Sequence, residues 1–389
     1  MKPILRSSLS CLGILVLATC PTGCKDKPKP DPATSAPTLA EAYAPYFTIG
    51  AALNESQVEG PPAELVTKHF NSITAENIMK WGLIHPEPGQ YNWEPVDRFV
   101  DFGEANGMEI IGHTLVWHSQ TPDWVFRDEE GNLLTREPML ERMRDHIHAV
   151  VGRYKGRIHG WDVVNEALNE DGSLRESLYY QIIGPDYIAK AFEYAHEADP
   201  EAELYYNDYT IENPDKRAGA VRIVKDLQER GVRITGVGIQ EHVNMTWPSQ
   251  QLLRETIRDF VALGVTVMIT ELDVDVLPSA FQHQGADVSL NAELRDELNP
   301  YPNGLPEAVQ RAQAQRYADL FSVYLEFKDS ITRVTLWGLD DGGSWLNDWP
   351  VRGRTSYPLL FDRELQPKPA FDAVLRLGLE HRRQDSGGY

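Results

Sequence analysis

Eight times along this chain a short apolar or β-branched run is followed by a stretch with helical spacing. That alternation limits the fold more than any single motif. The runs are YFTIGAAL (46–53), FNSITAEN (70–77), MEIIGHTLVW (108–117), RIHGWDVVNE (157–166), AELYYND (202–208), RITGVGIQE (233–241), VTVMITELD (265–273) and RVTLWGL (333–339). In PVDRFVDFGEANG (95–107), Val96, Phe99, Val100 and Phe102 share a helical face and Gly107 ends it. EPMLERMRDHIHAVVGRY, PDYIAKAFEYAHEA, NPDKRAGAVRIVKDLQERG, SQQLLRETIRDFVALG and PEAVQRAQAQRYADLFSVYL read the same way. Strand–helix alternation argues for a parallel sheet, and eight repeats suit a closed α/β barrel of the (β/α)8 type better than an open sheet. Chemistry in such a barrel belongs to the rim made by the carboxyl ends of the strands.

The ends of the chain read differently from its middle. Residues 1–24 have the layout of an export signal: Lys2 and Arg6, then the apolar CLGILVLAT, then small or polar residues. That apolar core is shorter than the roughly 20 residues a membrane-spanning helix needs. All three cysteines, Cys11, Cys20 and Cys24, fall here, so the remainder holds no disulfide and no thiolate metal site. Leu17-Ala18-Thr19-Cys20 resembles a lipoprotein cleavage box and Cys24 is a second candidate, which leaves a lipid anchor open beside plain secretion. Residues 25–39 are proline- and charge-rich and read as a flexible tether. One catalytic barrel over 40–381 and a short tail over 382–389 complete the division. The net charge of −21, from 58 acidic and 37 basic residues, disfavours nucleic acid and anionic lipid headgroups as partners.

Polar or aromatic residues close most of the strands: Glu76 and Asn77, His113 and Trp117, Asn165 and Glu166, Asn207 and Asp208, Gln240 and His242, Glu271 and Asp273, then Trp337. Singly these are ordinary loop residues; on one rim they form a set. Glu166 and Glu271 stand out because each ends a run apolar enough to be central, whereas most acids of the chain are solvated surface. Two carboxylates are what cleavage of a glycosidic bond requires by the common route. Alternation along GIQEH turns Gln240 and His242 one way and Glu241 the other, so Glu241 reads as structural. Along TELDV, Glu271 and Asp273 share a face, which sets His242 between them. No second histidine stands at a ligand spacing with His242, and neither metal nor cofactor is expected. Trp81, Trp117, Trp337 and Trp345 fall on or just after strand ends, where an indole face can carry a sugar ring, although a lone tryptophan is more often core.

The motifs WDVVNEAL, ITELDV, HTLVWHSQTPDW, TAENIMKW, YNDY and TLWGLDDGGSWL occur at successive strand ends. With them the chain resembles glycoside hydrolase family 10, the endo-β-1,4-xylanases, from FTIGAALN to KPAFDAV. The resemblance implies Glu166 as acid/base with Asn165 beside it, and Glu271 as nucleophile supported by His242 and Asp273. It implies Glu76, Asn77, Lys80, His113, Trp117 and Gln120 as binders of the glycone sugars. Gln240 would sit beside the catalytic pair, Trp337 and Trp345 would close over the sugars, and Tyr209 would lie towards the aglycone. Retention of configuration is implied, with carboxyls about 5–5.5 Å apart. The expected partner is xylan or a xylo-oligosaccharide, acted on by a monomer. A β-glucanase or exo-acting β-xylosidase would use the same barrel, and a non-catalytic glycan-binding protein would not need both glutamates. One departure is the long polar segment over 277–309, expected to emerge on the active rim.

Overall fold

The computed structural model describes residues 36–279 and 293–386. Residues 1–35, where the export signal and most of the tether are expected, residues 280–292 of the long polar segment and the last three residues lie outside that range. The strands are β1 (Thr48–Leu53), β2 (Ser72–Ala75), β3 (Glu109–Trp117), β4 (Gly160–Asn165), β5 (Glu203–Asp208), β6 (Gly236–Ile239), β7 (His242–Asn244), β8 (Thr266–Asp275) and β9 (Ile331–Leu336). All neighbours pair in parallel, in the order β6-β5-β4-β3-β2-β1-β9-β8, and a β6–β8 pairing closes the ring. The result is an eight-stranded (β/α)8 barrel. β7 is a three-residue extension on β8, with His242 opposite Asp273.

Every residue of β4 is buried, as expected of a strand covered by helices on one side and barrel interior on the other. Gly112 is a residue the packing dictates, because a Cβ there would lie 2.1 Å from the Trp161 indole that fills the space beside it. The helix Trp93–Ala105 buries Val96, Phe99, Val100 and Gly103, while Phe102 is only half-buried. Phe102 packs on the same core at its margin, so the expected face holds with Gly103 added. Full burial of a side chain such as Phe99 contributes about 1.5–3 kcal/mol.

Regular alternation fails at the rim. Pairing between β3 and β4 slips between His113 and Val116, and pairing between β8 and β9 slips between Ile269 and Leu272. Such bulges turn side chains that a regular strand would send elsewhere. Glu166 and Glu241, each just past a strand end, have φ of 56° and 60°. The left-handed region costs a side chain with a Cβ roughly 1–2 kcal/mol. At Glu166 this backbone lets two adjacent residues, Asn165 and Glu166, face one cavity. Among the described residues no helix is long and apolar enough to cross a membrane.

Candidate active site

At the carboxyl ends of the strands a cleft is lined by Glu76, Asn77, Lys80, His113, Trp117, Gln120, Asn165, Glu166, Gln240, His242, Glu271, Trp337 and Trp345. Thirteen of the fifteen sequence-predicted site residues therefore share one wall. Asp273 lies behind His242. Tyr209 is buried and outside that lining, with the Lys216 ammonium 3.3 Å from its ring centre and Arg175, which also holds the Glu166 carbonyl, donating to its hydroxyl at 3.1 Å. Trp81 also turns away: it is buried and stacks on His146 at 3.6 Å. A larger hollow of about 380 Å³ on the outer face is lined by Leu168, Ile188, Ile223 and Leu227 among others. It brings no acid/base pair together, so chemistry and not size identifies the rim cleft.

Glu166 is held by three donors. Trp117 Nε1 reaches Oε2 at 2.8 Å, while Asn165 Nδ2 and Gln240 Nε2 each reach Oε1 at 3.2 Å. Burial, then the negative charges of Asp208 and Glu271, push its carboxyl up to about 7, against the partial offset of the Trp117 and Gln240 bonds. Glu271 has opposite surroundings. Asn207 Nδ2 donates to Oε1 at 2.7 Å, and His242 Nε2 lies 3.1 Å from Oε2. Burial alone would raise it. The His242 hydrogen bond and the charges of His113, His242 and Lys80 outweigh burial and hold it below the usual glutamate range. His242 Nδ1 in turn lies 2.9 Å from Asp273 Oδ2, which also accepts from Trp345 Nε1 at 2.8 Å. Burial disfavours the imidazolium, but Asp273 and Glu271 lift it to about 10, so both ring nitrogens donate.

Lys80 is buried and donates to Asn77 Oδ1 at 2.9 Å, beneath Trp117 and Trp337. Burial lowers its pKa, against the pull of Glu271, Glu76 and Glu166. His113 is turned by Asp162, with Nδ1 2.9 Å from Oδ2. The predicted set omitted Asn207, which donates to both Asn165 Oδ1 (2.9 Å) and Glu271 Oε1 and accepts from Thr270 Oγ1 (2.6 Å). Its signal was present in YNDY at the end of the fifth run. Glu241 points behind the wall, where the Tyr324 hydroxyl donates to it. In the long polar segment, Asn299 Oδ1 accepts from the Thr355 amide and the Tyr301 carbonyl from the Tyr357 hydroxyl, which ties the described part to the loop after β9. Among the described residues no group of three or more His, Cys, Asp or Glu could hold a metal ion.

A parallel (β/α)8 barrel with two buried glutamates on one rim cleft, one pushed up and one held down in pKa, has the layout of a hydrolase that works with a pair of carboxyls. The model of glycosyl hydrolase family 10 matches residues 38–377, and the chain belongs to that family. The chain is 46% identical over 370 residues to endo-1,4-beta-xylanase A of Xylanibacter ruminicola, covering 94% of this chain and 98% of the relative. It is 44% identical to a beta-1,4-xylanase of Dictyoglomus thermophilum, covering 87% of this chain and 91% of the relative. Among solved structures, a family 10 endoxylanase retrieved from a sugarcane soil metagenome aligns with a TM-score of 0.85 at 47% identity, covering 87% of this chain and 99% of that one.

Proposed function

We propose that this protein is an endo-acting β-1,4-xylanase that hydrolyses internal bonds of xylan with retention of configuration. The observation that carries the reading is the opposed tuning of two buried glutamates on one cleft: burial and anions keep a proton on Glu166, while His242 and its neighbours keep one off Glu271. In the first step the Glu271 carboxylate attacks the anomeric carbon and the C–O bond to the departing sugar breaks. Glu166 gives its proton to the leaving oxygen. In the second step Glu166, now ionised, takes a proton from water, whose oxygen displaces Glu271 from the sugar. Esterification of Glu271 removes one of the anions that raised Glu166, which suits the change from acid to base.

Asn165 and Asn207, linked at 2.9 Å, stand between the two acids, Asn165 bonded to Glu166 and Asn207 to Glu271; on this reading Asn165 bonds the hydroxyl beside the reacting carbon. Glu76, Asn77, Lys80, His113 and Gln120 supply polar partners for the glycone hydroxyls. Trp117, Trp337 and Trp345 supply flat apolar faces. The relatives named as xylanases support xylan as the substrate, and the layout of residues 1–24 supports export. The test is ¹H NMR of early products together with the viscosity of a xylan solution. Retention predicts that the β-anomer accumulates first, and endo action predicts that viscosity falls well before reducing ends accumulate. First appearance of the α-anomer would overturn the mechanism. Turnover of a β-glucan at the xylan rate would overturn the substrate.

A further inference from the structure

Behind Glu166, outside the cleft lining, lies a buried ionic cluster that the reaction scheme does not use. Lys216 and Asp208 are both fully buried, with Nζ 3.1 Å from Oδ1. The Tyr209 ring lies over the ammonium, and Glu170 accepts from it at 3.0 Å. Asp208 accepts further from the Tyr209 amide at 2.9 Å and from the Tyr206 hydroxyl. Arg175 straps the other side: Nε donates to the Glu166 carbonyl at 3.2 Å, and Nη2 donates to the Leu168 carbonyl at 3.3 Å and the Tyr209 hydroxyl at 3.1 Å.

The end of β5 therefore reaches both acids: the Asn207 amide bonds Glu271, the Asn207 carbonyl accepts from the Glu166 amide at 2.9 Å, and Arg175 joins the Glu166 carbonyl to the Tyr209 hydroxyl, which sets the next residue, Asp208, with its negative charge behind Glu166. A buried ion pair is a poor stabiliser, because removing two charges from water offsets much of their attraction. Its place next to an acid that must stay protonated calls for another explanation.

We propose that Asp208, paired with Lys216, is a positioning residue for Glu166: its negative charge holds the proton on the acid from behind the cleft. This rests on the acid/base reading of Glu166. Burial raises the Asp208 carboxyl, and Lys216, the Tyr206 hydroxyl and Arg175 offset this in part. The charged and titratable groups facing Glu166 are Asp208, Glu271, Lys80, Arg175 and Tyr209, with Trp117, Asn165 and Gln240 as neutral donors. Those facing Asp208 are Lys216, Arg175, Tyr206, Tyr187 and Tyr209. Asp208 acts with Glu271 against Lys80 and Arg175. Of the two anions facing Glu166, Asp208 is the one outside the cleft lining and can be neutralised without touching that wall.

The experiment is the pH profile of kcat/KM on xylo-oligosaccharides for the wild type, Asp208→Asn, the double variant Asp208→Asn/Lys216→Met, and Glu166→Gln. Loss of the Asp208 charge is expected to move the alkaline limb down by on the order of one pH unit. Activity on the acid side should stay within about threefold, so the deficit grows to roughly tenfold on the alkaline side. The double variant leaves no unpaired buried charge and should move the limb in the same direction by a smaller amount, because the Lys216 charge that opposes Asp208 is gone as well; it covers an Asp208→Asn protein that does not fold. A purely structural role would lower activity at every pH and leave the limb in place, and that result in a folded variant overturns the proposal. Should Glu166→Gln retain the wild-type limb, the acid/base reading itself fails and this proposal with it. A limb lost in Glu166→Gln but unmoved in both Asp208 variants refutes the proposal alone.

Discussion

Glu166 and Glu271 are the same residue type, each past an apolar stretch, each about 5% exposed or less, on one cleft. Burial pushes both towards the neutral acid, so burial cannot be what distinguishes them. The difference lies in what each backs onto. Glu166 backs onto anions and receives only neutral donors, whereas Glu271 has an imidazolium in hydrogen-bond contact, with His113 and Lys80 adding positive charge. A barrel rim can therefore assign opposite roles to identical side chains through the neighbouring strand ends, here β5 for one and β7 for the other.

The largest effect should come from removing the anion itself. Glu271→Ala should lose at least about 10⁴-fold in kcat, as expected when a covalent nucleophile is deleted. Binding of xylan, read by affinity electrophoresis, should survive. Near-wild-type turnover in that variant would remove the nucleophile from the scheme. Glu166→Gln should cost less, roughly 10²–10⁴-fold on xylan. An aryl xyloside with a good leaving group needs no acid in the first step, so its glycosylation should be nearly unaffected, visible as a burst of phenol. An equal loss on both substrates would count against proton donation.

A smaller loss should follow from weakening the cation beside Glu271. Asp273→Asn removes the anion that most strongly holds the His242 charge. His242 then loses its proton at lower pH, and Glu271 loses support. A hydrogen bond to a charged group contributes about 1.5–3 kcal/mol, which corresponds to a fall of roughly 10- to 100-fold. The sign follows from the two pKa directions. Activity needs Glu271 ionised and Glu166 protonated, so kcat/KM rises through the lowered Glu271 value and falls through about 7. His242 stays protonated at the acid limb even without Asp273, so Asp273→Asn should leave that limb in place and make the loss grow as the imidazolium gives up its proton at higher pH. An equal loss at every pH would show that Asp273 does not act through the charge on His242.

Both acids were legible in the sequence because an apolar run ending in Glu has few other places to put it. His242 between Glu271 and Asp273 was legible for a related reason, although the argument from alternation reached it through a backbone that is not a regular strand there. Glu241 sits at φ 60° between β6 and β7, and that kink turns it behind the wall. The left-handed backbone of Glu166 and the two bulges are set by tertiary pairing and leave no local signature, since no Gly or Asn marks the Glu166 turn. The Asp208–Lys216–Arg175 cluster was hidden because its members come from β5, the following helix Pro214–Glu229 and the loop after β4. Trp81 was misplaced by proximity to β2: one helical turn carries it from the rim into contact with His146.

A third environment holds two further glutamates with no adequate counter-charge, and changes there should be smaller still. Glu212 and Glu241 are both buried, and both Glu212 oxygens and Glu241 Oε1 have no hydrogen-bond partner among the described residues. Burial and then repulsion from Glu212 push Glu241 up, and the Tyr324 hydroxyl and Arg316 offset this only in part. Glu212 is likewise raised, chiefly by burial, against Lys216 and His242. An unfolded glutamate titrates near 4.5, so above that pH the folded protein holds protons that the unfolded chain has released. Stability must therefore fall as pH rises from about 4.5 through the raised folded values. Glu241→Gln keeps an acceptor for Tyr324 and removes one charge. It should stabilise the protein by on the order of 1 kcal/mol at pH 8, or about 2 °C in Tm, and by nearly nothing at pH 4, where both carboxyls are neutral in either state. Calorimetry at the two pH values decides it. An equal change in Tm at both, or a loss at pH 8, would mean that the charge on Glu241 is already compensated in the folded protein.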